Sequence, residues 1–145
     1  MRRAVLVLAS GCLVPYTPGA LSAHDAVTSV GCLDVGLAAM RRAETSGPVV
    51  EISLGNRCEH HVDVDLGALQ VVAGNNGGAT AAARAYDPDH EIEARTIAAR
   101  ESGDEYIEYL PVTPLAPIEW LDVDVAGVAP DAARREHWVR VQVKP

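Results

Sequence analysis

Histidines are the first residues whose chemistry could define a site. The chain has five: His24, His60, His61, His90 and His137. Neutral imidazole is the commonest metal-ligating side chain, and nitrogen-rich donor sets suit Cu(II). Removal of a leader after Ala23 would make His24 the first residue. Its free amine and its imidazole would then offer two nitrogens to one copper ion. Asp89-His90 or His60-His61 would have to complete such a site. Beside the latter pair, Glu59, His61, Asp63 and Asp65 form a dense polar cluster. On a strand, His61, Asp63 and Asp65 share a face about 6–7 Å apart successively, close enough to hold a divalent cation or simply to face water.

No catalytic set accompanies them. There is no Gly-x-Ser-x-Gly turn and no reactive cysteine with an evident histidine partner. The Gly74–Gly78 stretch lacks the lysine and following helix of a phosphate loop. Asp87-Pro88-Asp89-His90-Glu91 lacks the glycine and ligand order of a calcium loop and reads as a turn. Trp120 and Trp138 are candidates of another kind. Each lies out of phase with the aliphatic residues of its segment, so an outward indole pair could stack on a sugar or anchor a protein. The alternative is a covered pair, with Arg140 held by Asp122 or Asp124.

The N-terminus reads as an address. Met1-Arg2-Arg3 is followed by an apolar run from Ala4 to Val14 and then by small residues up to Ala20-Leu21-Ser22-Ala23. This is the layout of a secretory signal, and the run falls short of the roughly 20 residues of a permanent membrane span. The expected cut follows Ala23, or Ser22 if Ala20 fills the −3 position. Ala9-Ser10-Gly11-Cys12 offers a second route, because it resembles a lipobox, in which the cysteine is acylated and becomes the N-terminus. Removing residues 1–23 takes two basic residues and no acid, moving the net charge from −8 to −10. Such a surface repels nucleic acid and anionic lipid. The remaining cysteines, Cys32 and Cys58, form an even pair. In an exported domain that reads as a disulfide, with two free buried thiols as the alternative.

The rest of the chain must position these groups, and it alternates with period two. Leu33, Val35 and Leu37 share one face, as do Val50, Ile52 and Leu54 against Glu51 and Ser53. Val62, Val64 and Leu66 alternate with acids. So do Leu121, Val123 and Val125, while Val139, Val141 and Val143 alternate with Arg140, Gln142 and Lys144. Alternation with β-branched residues inside marks half-buried strands. Turn signals stand at Gly55-Asn56, Gly74–Gly78, Tyr86–Asp89 and Ser102-Gly103-Asp104. The chain is 48% apolar and contains no Phe, so one aliphatic core is expected. Roughly seven to nine short strands in a two-sheet antiparallel sandwich follow. Glu91–Glu101 and Asp131–His137 are the segments with helical character, and one short helical segment is allowed for. Pro111–Pro117, with three spaced prolines, reads as a connector between sheets.

Several short motifs carry a resemblance: Gly-Cys-Leu-Asp-Val at 31–35, Gly-Asn-Arg-Cys at 55–58, Val-Asp-Leu-Gly-Ala-Leu at 64–69, Tyr-Asp-Pro at 86–88 and Tyr-Ile-Glu-Tyr at 106–109. The stretch resembles small exported proteins of high-GC Gram-negative bacteria with immunoglobulin-type sandwiches. The resemblance covers roughly half the chain and implies a fold and a compartment without an activity. It also implies that Cys32 and Cys58 tie an early strand to the next. The His24 arrangement separately resembles the histidine brace of secreted copper β-sandwiches.

The expectation is therefore an all-β, immunoglobulin-like antiparallel β-sandwich over residues 30–145, preceded by a signal peptide at 1–23 and a flexible lead-in at 24–29. It is a periplasmic or extracellular non-enzymatic binding or assembly module for a protein or glycan. The alternatives are copper binding through His24, with His60, His61 and His90 as further ligands, and a lipid anchor at Cys12.

Overall fold

The computed structural model describes residues 14–87, 94–129 and 136–145. Among them there are strands and two 3-10 turns, with no α-helix. The strands are β1 (Val14–Pro15), β2 (Ala26–Val30), β3 (Leu33–Met40), β4 (Val49–Asn56), β5 (Val62–Asp65), β6 (Gln70–Gly74), β7 (Thr80–Tyr86), β8 (Ala94–Ile97), β9 (Glu101–Pro111), β10 (Trp120–Asp124) and β11 (Trp138–Lys144). The 3-10 turns are Leu66–Ala68 and Val125–Val128.

The protein is all-β, but its main sheet closes on itself. The order β9-β4-β3-β11-β10-β6-β7 returns to β9, giving a seven-stranded barrel. Among the described residues only the β3–β11 contact is parallel, with Val143 opposite Ala39. The expectation of two separate sheets is corrected here. Alternation reports which side chains face inward, and it is the same for a sandwich and a barrel. It does not report which edges meet. Two pairings make the closure. β3 uses one edge for β4 and shares the other between β2, opposite Leu33–Leu37, and β11, opposite Ala39 and Met40. The 11-residue β9 pairs with β4 and, at its end, with β7. Closure leaves few unpaired edges.

The core is aliphatic. Leu33, Val35 and Leu37 of β3, Val50, Ile52 and Leu54 of β4, Leu121 and Val123 of β10 and Val141 of β11 are all buried. Tyr109 of β9 is the largest fully buried side chain. Its hydroxyl has no hydrogen-bond partner among the described residues, and burial pushes its pKa up.

β5 and β8 pair with each other and cap one end of the barrel, with Val64, Leu66 and Ile97 turned inward. The β2–β3, β4–β5 and β8–β9 connections lie at this end, as do the end of β10 and the start of β11. Asn56, wholly buried, ties it together. Its side-chain amide donates to the His60, Ile97 and Ala98 carbonyls, and its oxygen accepts from the Cys58 amide. Two expected turns are therefore elements instead. Gly55-Asn56 ends β4, and Ser102-Gly103-Asp104 lies inside β9. The β8–β9 turn falls earlier, at Ala98–Arg100, with Arg100 at φ 63°. The Gly74–Gly78 hairpin between β6 and β7 is where the sequence places it. Residues 112–119 connect β9 to β10. The helical expectation for Asp131–His137 falls mostly outside the described residues, as do Pro88, Asp89, His90 and Glu91.

The larger departure is at the N-terminus. The expected lead-in at 24–29 is mostly strand. β2 pairs with β3 from Ala26 opposite Leu37 to Val30 opposite Leu33. The hairpin turns through Gly31 at φ 60°, where a glycine carries no steric cost. Residues 14–25, expected in large part to leave with a signal peptide, lie across the outer face of the barrel.

Candidate functional site

Two features of the capped end and its flank can do chemistry or binding. The first is a groove of about 470 Å³ lined by Val30, Leu33, Val62, Ala129, His60, His61, Asp63 and the Cys32–Cys58 disulfide. The disulfide joins the β2–β3 turn to the loop after β4, with its Cα atoms 5.4 Å apart. Cys58 is buried. The groove wall is mainly aliphatic and sulfur, with imidazoles and one carboxylate added. That lining suits an apolar side chain flanked by polar backbone or a hydroxyl.

The polar row at the groove is occupied by structural bonds. Asp63 accepts from the Thr96 hydroxyl at 2.7 Å. Asp65 caps the first 3-10 turn by accepting from the Gly67 amide at 3.1 Å. His60 Nδ1 lies 2.9 Å from the His61 carbonyl. Glu59 pairs with Arg100. No group of three or more His, Cys, Asp or Glu is placed to hold a metal among the described residues. His90 lies outside the described residues. His24 Nδ1 sits 2.8 Å from the Ser22 carbonyl. A brace at His24 needs the bond between Ala23 and His24 to be cut; in the uncut chain Ala23 is wholly buried and its amide donates to the Ser53 hydroxyl. His137 Nε2 lies 3.2 Å from the Thr28 hydroxyl. Among the described residues, His24, His60 and His61 thus form no group that could hold a metal ion.

The tryptophans are separated as well. Trp120 is opposite Gln142 and Trp138 is opposite Asp124, at the two ends of the β10–β11 ladder. Trp120 is buried at 8% exposure. The Arg140 guanidinium lies 3.7 Å from its ring centroid, held by a two-bond pair to Asp122 at 2.7 and 2.9 Å. The ring also rests on Gly74, where a β-carbon would collide with it. Trp138 stays 40% exposed at the capped end, its indole donating to Glu136 at 3.3 Å. One indole remains a surface group and the other does not.

The second feature is the strap made by residues 14–25. β1 pairs with the start of β9, Val14 opposite Ser102. The chain then crosses β9, β4 and β3. Its contacts fall on Asp34 and Gly36 of β3 and on Glu51, Ser53 and Gly55 of β4. Alternation alone would have turned Glu51 and Ser53 to water; the strap buries them, so β4 is buried along its whole length. Asp34 gathers three donors: the Tyr16 hydroxyl at 2.6 Å, the Ser29 hydroxyl at 2.7 Å and Arg57 Nε at 2.9 Å. Burial pushes the Asp34 carboxyl up, and the three hydrogen bonds outweigh it, holding the group below its usual range. The Tyr16 hydroxyl moves up, through burial and then through its bond to Asp34. Sequence reasoning missed this cluster because it assigned Tyr16 to the leader. The available signal was two glycines, Gly36 and Gly55, at outward positions of otherwise well-patterned strands.

No protein-family model, no curated protein and no solved structure matches this chain.

Proposed function

We propose that this protein is a non-enzymatic binding or assembly module working outside the cytoplasm, in the periplasm or extracellular space. Its binding element is the groove beside the Cys32–Cys58 disulfide, and its partner is a protein presenting an apolar side chain. The observation that carries the reading is the groove itself: an aliphatic wall of Val30, Leu33 and Val62 on a covalently pinned floor. A disulfide in a domain of this size favours an oxidising compartment. Pre-organised apolar clefts with a few polar groups are where ligands are held. The exposed Trp138 lies at the same end of the barrel and offers an anchor of the kind that dominates protein interfaces. The paired indole platform that would favour a glycan is not formed, because Trp120 is covered by Arg140.

An immunoglobulin-type ancestry belongs to the same proposal. The run β3-β4-β9-β7 has the order A-B-E-D, and β6-β10-β11 has the order C-F-G. The β3–β11 and β6–β7 pairings join the two sets into the barrel.

The test is a photo-crosslinking residue at position 62, in the groove, compared with one at position 77, in the β6–β7 hairpin at the opposite end. Discrete protein adducts from position 62 alone are expected in living cells. Equal adducts from both positions, or none, would contradict the reading. An adduct to a glycan would replace the protein partner.

A further inference from the structure

The strap has the bonding of a permanent part of the fold. The Tyr16 amide donates to the Arg100 carbonyl at 2.8 Å. The chain reverses at Gly19, φ 88°, with the Ala20 amide donating to the Thr17 carbonyl at 3.0 Å. Leu21 is buried, and Ala23 has no exposed surface. The Ser22 hydroxyl donates to Glu51 at 2.8 Å, and the Ala23 amide donates to the Ser53 hydroxyl at 2.8 Å. The receiving face is shaped to match. A β-carbon on Gly36 would collide with the Ala23 carbonyl, and one on Gly55 would collide with the Tyr16 ring.

A cut after Ala23 would remove all of this. Asp34 would lose one of its three donors, Ser53 and Glu51 would lose partners from the strap, and the outer face of β4 would be laid open. Leader removal precedes folding, so burial does not shield the bond from a protease. It identifies the chain for which the face is shaped. A second, independent feature lies just upstream. Ala9-Ser10-Gly11-Cys12 places small residues before a cysteine, and a cut at Gly11–Cys12 leaves the strap whole, with Leu13 alone between Cys12 and β1.

We propose that residues 14–25 remain in the mature protein as a structural strap, and that processing falls at the Gly11–Cys12 bond after Cys12 has received a diacylglyceryl group. The inference rests on the reading that the chain is exported, and it adds where the chain is held. The donor is a membrane glycerophospholipid. The Cys12 sulfur forms a thioether to the glyceryl carbon, the C–O bond to the headgroup phosphate breaks, and the phosphate leaves with the bonding electrons. The thiol proton is released to solvent. Hydrolysis of the Gly11–Cys12 peptide bond then consumes one water. The barrel is thereby tethered at the bilayer by a link of one residue before β1.

The test expresses the full chain in a Gram-negative host and reads the mature protein by intact mass and N-terminal sequencing, beside Cys12→Ser. The expected product starts at Cys12, carries the added lipid mass and partitions into detergent. Cys12→Ser is expected to lose the lipid mass and to accumulate as an uncut precursor. A soluble, disulfide-bonded chain starting at His24, or anywhere after Val14, overturns this proposal while leaving export intact. A cut before Val14 without lipid overturns the acylation. A chain that keeps Met1 and has free Cys32 and Cys58 thiols overturns export as well.

Discussion

The Tyr16 hydroxyl reaches Asp34 at 2.6 Å while its ring rests on Gly55, so a residue of the leader-like region fits a gap in the barrel's outer face. Gly55→Val should force the ring off and cost about 1–3 kcal/mol, the usual scale of overpacking. Tyr16→Ala should weaken the fold too. Because the two residues touch, the double variant should lose less than the sum of the single losses. Urea unfolding of the four proteins checks this. Strict additivity would mean that the ring does not sit on Gly55.

Asp34 gives the cluster a pH signature. Burial raises its pKa, but the hydrogen bonds from Tyr16, Ser29 and Arg57 prevail and hold it below the usual 3.8. A carboxyl whose folded pKa lies below its unfolded one contributes stability that is present above the unfolded value. That contribution is lost as pH falls through the folded value. Stability should therefore decline from pH 3.8 downward in the wild type, and less steeply in Asp34→Asn. Urea midpoints measured across that acid range decide the point. Parallel curves would remove Asp34 from the account.

The disulfide closes a sequence separation of 26 residues. Constraining an unfolded chain by such a loop contributes about 3–4 kcal/mol in the chain-entropy model. Unfolding of Cys32→Ala/Cys58→Ala should show a loss of that order, and reduction of the wild type should do the same. An unchanged midpoint after confirmed reduction would count against the bond as a stabiliser.

The two tryptophans should report different surroundings. In Trp138→Phe, the remaining Trp120 should be poorly quenched by acrylamide and emit toward the blue. In Trp120→Phe, Trp138 should be readily quenched. Adding Arg140→Ala to Trp138→Phe should shift Trp120 to the red, because the guanidinium over the ring is gone. Equal quenching of both indoles would contradict the burial difference.

Much of the barrel was legible in the residues. The alternations at Leu33–Leu37, Val50–Leu54, Leu121–Val125 and Val139–Val143 all fall on strands or their ends, and the Gly74–Gly78 loop closes a hairpin. Period two states which face is apolar. It is silent on which edges pair, so closure through β3–β11 and β7–β9 could not be read. It also assumes that the outward face meets water. That assumption failed at Asp34, Glu51 and Ser53, because a segment assigned to the leader covers them. Asp124 is buried for a local reason: it accepts from the Ala126 and His137 amides. The cysteine pair was legible from its even count in a chain with a leader-like start. The groove was not, because Val30, Leu33, Val62 and Ala129 meet only after the hairpin, the cap and the 3-10 turn following β10 are in place.

The most direct measurement of the central claim, that residues 14–25 belong to the fold, is amide hydrogen exchange at Ala23 in the protein isolated from the cell envelope. The account predicts that this amide, buried and bonded to Ser53, is protected to the same degree as those of Val50 and Ile52. Exchange at the rate of a free peptide, or a mature chain that lacks Ala23, would contradict it.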